Sequence, residues 1–292
     1  MNRTEGAGRG WALAPRGVRM YLDVMAQIDR YTHGHHESVL RSHTWRTAQN
    51  SAGFLLSHLE TGDRLLDVGC GPGTITMDLA DWVAPGEVIG LDRSPEVIER
   101  AREAADARQL SNLSFEVGDV YNLEFEDSSF DVVYAHQVLQ HLSDPTRALK
   151  EMRRVLADGG WLAVRDGDYG EFTWSPPNDG LTRWMELYHQ ITRRNDAEAD
   201  AGRFLAGWVE SAGFESLERS TSEWTYESAE EREWWADLWA DRVLYSEFAR
   251  QGLEYELTTS EELSEISDAF RAWSDSAEGI FVVVHEEVLA RK

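Results

Sequence analysis

The apolar residues follow two different patterns along the chain. In 18–30 and 36–59 they recur every three or four positions, which predicts amphipathic helices, the second in two pieces. From residue 64 onward, short continuous apolar runs predict buried strands at 64–69, 87–92, 113–119, 130–135 and 160–166. Helical spacing between these runs predicts helices at 74–83, 94–106 and 144–156. Ser94 and Asp144 stand where an N-cap is expected.

Strands that alternate with helices in this way form a parallel sheet with helices on both faces and right-handed crossovers. After residue 170 the alternation is less regular. Helices are predicted there at 181–194, 201–214, 229–250 and 258–273, and strands at 215–228 and 279–290. Residues 1–17 contain Arg and Gly but no apolar signal-peptide region, so we expect a flexible tail.

Composition and charge restrict the partners of this chain. Of its 292 residues 42% are hydrophobic and 12 are Trp, which is enough for a substantial core. The net charge of −25 repels phosphate backbones and anionic membranes, so we expect no nucleic-acid partner. The single cysteine, Cys70, excludes an internal disulfide, and no apolar run approaches the roughly 18 residues of a membrane span. We therefore expect a cytoplasmic protein.

The most specific chemical signal is the glycine-rich loop in LLDVGCGPGT, between a predicted strand and a predicted helix. Its loop residues are Gly69, Cys70, Gly71 and Gly73, and Asp67 precedes them. Glycines let the backbone turn sharply and let a ligand approach closely, and the helix N-terminus adds partial positive charge. The third glycine comes one residue too early for the G-x-G-x-x-G of dinucleotide-binding proteins, which argues against an NAD-dependent dehydrogenase. A chance glycine-rich turn stays an alternative for the loop alone.

Acidic residues end the next two predicted strands. Asp92 comes about 20 residues after the loop, where a carboxylate can accept both hydroxyls of a ribose. This aspartate would serve an NAD enzyme equally well, so it does not decide between cofactors. Gly118-Asp119-Val120 stands at the end of the third strand.

These motifs, together with FDVVYAHQVLQHLSDPTRALKEMRRVLADGGWLAV at 130–164, resemble the UbiE-like (type 11) branch of class I S-adenosylmethionine (SAM)-dependent methyltransferases. The resemblance is strong over 64–168 and weaker over 181–228 and 279–292. It implies an α/β, Rossmann-like sheet of seven strands in the order 3-2-1-4-5-7-6, with strand 7 antiparallel. It also implies an N-terminal helical cap at 18–60 and a methyltransferase domain at 61–292. Helices inserted between strands 6 and 7, at about 229–275, would form a lid over the substrate site.

The resemblance implies SAM as cofactor, S-adenosyl-L-homocysteine as its product, and a small-molecule methyl acceptor such as a quinone, polyketide or terpenoid. O- or C-methylation is favoured. The alternative is a SAM-binding protein of the same fold that does not methylate, either a cyclase or a regulatory binder. A homodimer is compatible with this interpretation.

The resemblance also assigns residues to the cofactor. They are Asp67, Gly69, Cys70, Gly71, Gly73, Asp92, Arg93, Asp119, Val120, His136 and Gln137. In this branch the segment before strand 1 folds back over the cofactor, which would bring Tyr31 and Arg41 to its methionine end. A guanidinium at Arg41 would suit the carboxylate of that group.

Catalytic candidates follow predicted strands 4 and 5, because an open parallel sheet presents its site at the carboxyl ends of its strands. His136 is the first choice for a base or a substrate contact, since an imidazole titrates near neutrality. A polar contact to the cofactor backbone or to water is the alternative. Asp166 and Asp168 are candidates to orient or deprotonate the acceptor, unless they are exposed loop carboxylates. His141 is a further catalytic candidate, although a structural role at a helix end is favoured.

The segment YTHGHHESVLRSH holds His33, His35, His36 and His43 and looks like a metal site. Its spacing, H-x-H-H-E, differs from the H-x-H-x-D-H ligand loop of metallo-β-lactamase-like hydrolases, and no cysteine is near. We therefore predict no metal. By the methyltransferase resemblance the segment forms one wall of the substrate site, with its histidines facing the acceptor or, alternatively, capping helices and filling gaps.

Three further features have a structural and a functional interpretation. Ser175-Pro176-Pro177-Asn178 resembles the N/D/S-P-P-aromatic motif of amino-methyltransferases that act on nucleic acids or protein glutamines, but it follows strand 5 and ends in Asn, so we assign it no such role. His189 and His285 are interpreted as structural. The helix predicted at 229–250 carries large apolar residues that suit a core, or in part a substrate pocket. They are Trp234, Trp235, Leu238, Trp239, Tyr245 and Phe248.

Overall fold

The computed structural model describes residues 29–34, 36, 38, 39, 43 and 45–292. The predicted tail, most of the helix predicted at 18–30, and the side chains of His35 and Arg41 lie outside these residues. Between residues 36 and 59 the described chain is continuous only from residue 45. Only 45–59 can therefore be compared with the two helices predicted there.

In the part of the chain that the structure describes, eight strands form one mixed sheet. They are β1 (Leu65–Val68), β2 (Val88–Asp92), β3 (Leu113–Val117), β4 (Phe130–His136), β5 (Leu156–Gly167), β6 (Thr173–Ser175), β7 (Glu215–Tyr226) and β8 (Ile280–Arg291). The order is β3-β2-β1-β4-β5-β8, and β6 and β7 also pair with β8. Strands β1 to β5 pair in parallel, and β8 is antiparallel to each of its neighbours. The predicted fold class is confirmed, with the antiparallel last strand between β5 and β7.

Ten helices are described. They are α1 (Ala48–Ser51), α2 (Gly53–Leu56), α3 (Thr74–Val83), α4 (Pro95–Arg108), α5 (Pro145–Val155), α6 (Asp179–Arg194), α7 (Ala201–Ser211), α8 (Ala229–Tyr245), α9 (Glu247–Glu254) and α10 (Ser260–Ser274). Ser94 and Asp144 cap α4 and α5 as predicted. None of the described helices combines the length and the apolar character that are needed to cross a membrane.

The structure differs from the sequence prediction in two elements. The helix predicted at 229–250 is broken at Ser246, whose extended backbone ends α8 and whose hydroxyl accepts the amide hydrogen of Phe248 to begin α9. Serine suits such a break because its hydroxyl can form a hydrogen bond with a nearby backbone amide. Strand β6 was not predicted because three residues are too few to show an alternating pattern. It pairs with the part of β8 that lies beyond the pairing of β8 with β5.

The helices inserted between β7 and β8, α8 to α10, share a core with α6 and with the adjoining ends of those two strands. Its largest buried side chains include Trp184, Trp239, Trp273, Phe248, Phe270 and Phe281. A separate core lies between the sheet and α5 and α7. Among the large apolar residues of the helix predicted at 229–250, Leu238 and Phe248 are core residues and Tyr245 is 64% exposed. The inserted helices are therefore joined to the sheet by packing as well as by the chain.

The segment Ser175–Asn178 has a structural role at the start of α6. The side-chain oxygen of Asn178 accepts hydrogen bonds from the amides of Gly180 at 2.9 Å and Leu181 at 3.1 Å. None of its four residues lines the cavity described below. The segment ends one strand and caps the next helix.

Replacing Asn178 with alanine leaves the first amides of α6 without their acceptor. We expect N178A to lower the free energy of unfolding by about 1 kcal/mol in urea titrations. The affinity for SAM should not change. N178D keeps a capping oxygen and should retain the stability. Loss of SAM affinity at unchanged stability would contradict the structural interpretation.

Candidate active site

A cavity of about 840 Å³ lies beyond the carboxyl ends of β1 to β4, where open parallel sheets bind their ligands. The glycine loop and the ends of β2 and β3 line one part of it. The predicted cofactor residues on its wall are Tyr31, Asp67, Gly69, Cys70, Gly71, Asp92, Arg93, Asp119, Val120, His136 and Gln137. Arg41 lies outside the described residues, and Gly73 does not line the cavity.

The glycine loop combines open backbone with close packing. Gly71 has φ +55° and faces the cavity, so a ligand can approach its backbone. Gly73 also has a left-handed backbone, at φ +78°, but a Cβ there would come within 2.4 Å of the Phe115 ring. Gly73 is thus required for packing between the start of α3 and β3. This packing accounts for the glycine, and its predicted contact with the cofactor stays a prediction.

Two aspartates support the loop from different positions. Asp92, at the end of β2, accepts hydrogen bonds from the amides of Gly71 at 3.2 Å and Ser94 at 2.9 Å. Asp67 is almost fully buried in β1, where Thr76 donates to it at 2.6 Å, and burial raises its pKa to about 7. Asp92 therefore holds the loop through Gly71 and keeps its carboxylate on the cavity wall, while Asp67 joins β1 to α3. The ribose contact of Asp92 stays a prediction.

The open glycine backbone and the Asp92 carboxylate fit SAM in the manner that the sequence implied. Asp119 and Val120 follow β3 on the same wall. Arg93 donates to the carbonyl oxygen of Asp29 at 2.7 Å and so joins the segment before β1 to this wall. Tyr31 lies in the same segment, edge-on to His141 at 4.7 Å between ring centroids.

His136 ends β4 and is buried, with 6% of its surface exposed. Its Nδ1 lies 3.5 Å from Nη1 of Arg165, and its Nε2 has no hydrogen-bond partner among the described residues. Burial, with the charges of Arg46 and Arg165, holds the pKa of His136 well below its ordinary value. The imidazole is therefore neutral, and it is a weak base.

Gln137 leaves the sheet with φ +54°, a conformation that non-glycine residues adopt rarely and that is often found at functional sites. Its side-chain oxygen accepts from Arg46 at 2.5 Å, and its side-chain nitrogen lies 2.8 Å from Nε2 of His285. The amide is thereby held from both ends. His285, interpreted from the sequence as structural, supports this cavity residue from β8.

The remaining catalytic candidates differ in position. His141 lines the cavity, but burial and the charge of Arg46 lower its pKa to about 3. Asp166 and Asp168 are both buried and neither lines the cavity, so they are not exposed loop carboxylates. Asp168 accepts two hydrogen bonds from the guanidinium of Arg203. The end of β5 is buried on both faces, so the sequence does not show which of its side chains face the cavity. Both aspartates therefore remained catalytic candidates from the sequence alone.

The histidines of the opening segment take separate positions. His33 lies between the hydroxyls of Tyr169 at 3.4 Å and Tyr188 at 3.1 Å, and its pKa is well below the ordinary value because of burial. His36 contacts the hydroxyl of Ser38, and His43 lines the cavity near Gly71. In the described part of the chain no three His, Cys, Asp or Glu side chains form a group that could hold a metal.

Several cavity residues were not singled out from the sequence. They are Trp45, Arg46, Tyr169, Phe172, Trp224, Tyr226 and Arg242. Arg46 lies over the Trp224 ring at 5.7 Å and Arg242 over the Trp239 ring at 4.6 Å. An arginine or a tryptophan within a polar segment gives no periodic signal, and these side chains meet only in the folded chain.

The family model described as a methyltransferase domain matches residues 59–231. An uncharacterized methyltransferase of Schizosaccharomyces pombe is 32% identical over 90% of this chain and 96% of its own length. The ubiquinone/menaquinone biosynthesis C-methyltransferase UbiE of a Ruegeria species is 33% identical over 53% of this chain and 67% of its own. The crystal structure of the YcgJ protein of Bacillus subtilis, 18% identical, has a TM-score of 0.55 and covers 82% of this chain and 97% of its own.

The fold, the glycine loop with Asp92, and these similarities agree. The chain belongs to the class I SAM-dependent methyltransferases. Within that class it is of the UbiE-like type, and its cofactor is S-adenosyl-L-methionine.

Removal of the Asp92 carboxylate tests its role in cofactor binding. A hydrogen bond to a charged group contributes about 1.5–3 kcal/mol, so we expect D92A to weaken SAM binding about tenfold or more in isothermal titration calorimetry. Asp127 is exposed, and D127A serves as a control with unchanged affinity. An unchanged dissociation constant in D92A would remove Asp92 from the cofactor site.

Asp166 gives a prediction about pH. Burial raises its pKa to about 7, whereas an unfolded aspartate titrates near about 3.9. The folded state therefore holds this proton more tightly, and the contribution of Asp166 to stability falls as the pH rises from about 4 to about 7. Asparagine does not ionise, so D166N should gain at least about 1 kcal/mol over the wild type across this range.

The measurement is urea unfolding of both proteins, without cofactor, at several pH values. D158N, at an aspartate that is 95% exposed, should show no such gain. A difference between D166N and the wild type that stays constant with pH would contradict the buried, proton-holding role.

Proposed function

We propose that this methyltransferase acts on a small aromatic or largely apolar metabolite, at an oxygen or carbon atom. The observation that carries the proposal is the aromatic part of the cavity. Its rings belong to Trp45, Tyr169, Phe172, Trp224, Tyr226, Trp234, Trp235 and Trp239. Flat ring systems pack well against indole and phenol side chains, and pockets for small ligands combine such walls with a few polar groups.

The polar groups of the cavity lie beside these rings. His136 ends β4, Gln137 follows it, and Arg46, from the segment before α1, donates to Gln137. When bound, SAM supplies an electrophilic methyl group on a positively charged sulfur. The residues of the chain hold the acceptor in line with that methyl group, and positioning of this kind supplies much of the rate of such reactions.

Several observations favour a metabolite over a macromolecule. The cavity of about 840 Å³ must hold the cofactor and the acceptor together, and the chain has a net charge of −25. A relative of this chain is named for ubiquinone/menaquinone biosynthesis, so quinols are natural first acceptors to test. No feature of the described site favours a protein that binds SAM without methylating.

The test is incubation with SAM and a library of quinols, phenols and enolic metabolites, with products read by mass spectrometry. We expect one or more compounds to gain a methyl group, at a position that fragmentation assigns to oxygen or carbon. G71V introduces a branched side chain at a left-handed position beside the cofactor and is the inactive control. If SAM binds but no compound is methylated, the non-methylating alternative gains support. If SAM does not bind at micromolar concentration, the proposal is lost.

Trp234 tests the acceptor wall. It is partly buried against Tyr226 and Trp235 and lines the cavity. For an acceptor found in the library, we expect W234A to raise KM about tenfold, because a lost aromatic contact costs about 0.5–1.5 kcal/mol beyond its buried area. SAM affinity should be unchanged. W82A, at a tryptophan that is 52% exposed, is the matched control. An unchanged KM for W234A would place the acceptor elsewhere.

A further inference from the structure

We propose that the acceptor is bound as an oxyanion, the deprotonated form of an acidic phenol, enol or carboxylic acid, against the guanidinium of Arg46. This inference rests on the proposed function and adds a substrate class to it.

Arg46 is a cavity cation without a carboxylate partner among the described residues. Its Nη2 donates to Gln137, and its Nε is buried without an acceptor there. The arginines Arg30 and Arg250 on the cavity wall are both paired with Glu254, at 2.9 and 2.8 Å. In a chain with 53 acidic and 28 basic residues, an unpaired cavity arginine is notable. A buried charge is costly unless an opposite charge compensates it, so a ligand anion is the expected partner.

His136 lies next to Gln137, the partner of Arg46, but offers no counter-charge, because burial holds the pKa of this imidazole well below its ordinary value. Its Nε2 is buried and has no hydrogen-bond partner among the described residues. Arg165, whose Nη1 lies 3.5 Å from Nδ1 of His136, is paired with Glu287 at 3.1 Å. The charge of Arg165 is therefore balanced within the described protein, and that of Arg46 is not.

The reaction then needs no base in the protein. The acceptor loses its proton to solvent before it binds. A lone pair of the oxyanion, or of the carbon conjugated with it in an enolate, forms the bond to the methyl carbon. The carbon–sulfur bond breaks and its electron pair stays on sulfur, so the negative charge of the acceptor and the positive charge of the sulfonium disappear together. The neutral product no longer attracts Arg46, which favours its release.

An oxyanion could reach Arg46 from two sources, the acceptor or the methionine carboxylate of the cofactor. The experiment therefore uses protein saturated with S-adenosyl-L-homocysteine, which carries the same carboxylate. Two probes are titrated into it near neutral pH. 2-Hydroxy-1,4-naphthoquinone is an acidic enol that is ionised under these conditions, and 2-methoxy-1,4-naphthoquinone has the same rings but cannot ionise.

We expect the wild type to bind the ionised probe about tenfold or more tightly than the methoxy probe, as one charge-assisted pair provides. R46Q should lose most of this preference, and R46K should retain part of it. R250Q removes an arginine that carboxylates already neutralise, so it should keep the preference. Circular dichroism and urea unfolding verify that each variant is folded.

Two results would overturn the inference. One is equal affinity of the wild type for both probes, or no binding of the ionised probe. The other is that R46Q weakens binding of S-adenosyl-L-homocysteine and leaves the probe preference intact, which would assign Arg46 to the cofactor carboxylate. Neither result touches the proposed function, which depends on methylated products in the library experiment. If either result is found and a neutral acceptor is methylated in the library experiment, the protein is a methyltransferase with a different substrate class.

Discussion

The buried ion pair between Arg165 and Glu287 is the interaction on which the site most depends. The two side chains are in register on neighbouring strands, and the same row continues to His136 on β4 and Ser220 on β7. A buried pair is tolerated only when its other hydrogen-bonding groups are satisfied. Here the hydroxyls of Ser220 and Ser222 both donate to Glu287 at 2.6 Å. One polar row thus crosses four strands, joins the last strand to the sheet and orients the imidazole at the cavity.

The charge balance of the cavity differs from that of the whole protein. The chain has a net charge of −25, whereas, among the described residues, five arginines and five acidic residues line the cavity, together with His33 and His136, which burial keeps neutral. Arginine stays protonated at any physiological pH, so its positive charge does not switch with pH. Salt screens exposed charges beyond about 8 Å, but a guanidinium on the cavity wall acts on its ligand at contact distance. For a bound ligand, the nearest arginine therefore matters more than the distant acidic surface.

The elements predicted from the sequence are correct where several local patterns indicate the same structure. The helix Thr74–Val83 and the strands around the glycine loop follow from an apolar period, turn glycines and a helix start that all indicate the same structure. Arg46 and Trp224 were missed because they meet across the fold from segments far apart in the chain. The sequence does show Arg165 and Glu287 as charged residues inside two otherwise apolar strands. Only the pairing of β5 with β8 brings the two residues together. Local pattern thus predicts the cofactor side of the site better than the acceptor side.

The two sides of the cavity are built from different parts of the molecule. The cofactor side comes from the loops after β1 to β3, whose shape follows from the parallel sheet and its own core. The proposed acceptor side comes largely from the end of β7 and from α8, which belong to the core of the inserted helices. Substitutions in one core change the packing of the other little when the residues involved do not touch. On the proposed function, the inserted helices can therefore vary with the acceptor while the glycine loop keeps its shape, and the Arg165–Glu287 row holds His136 at the end of β4.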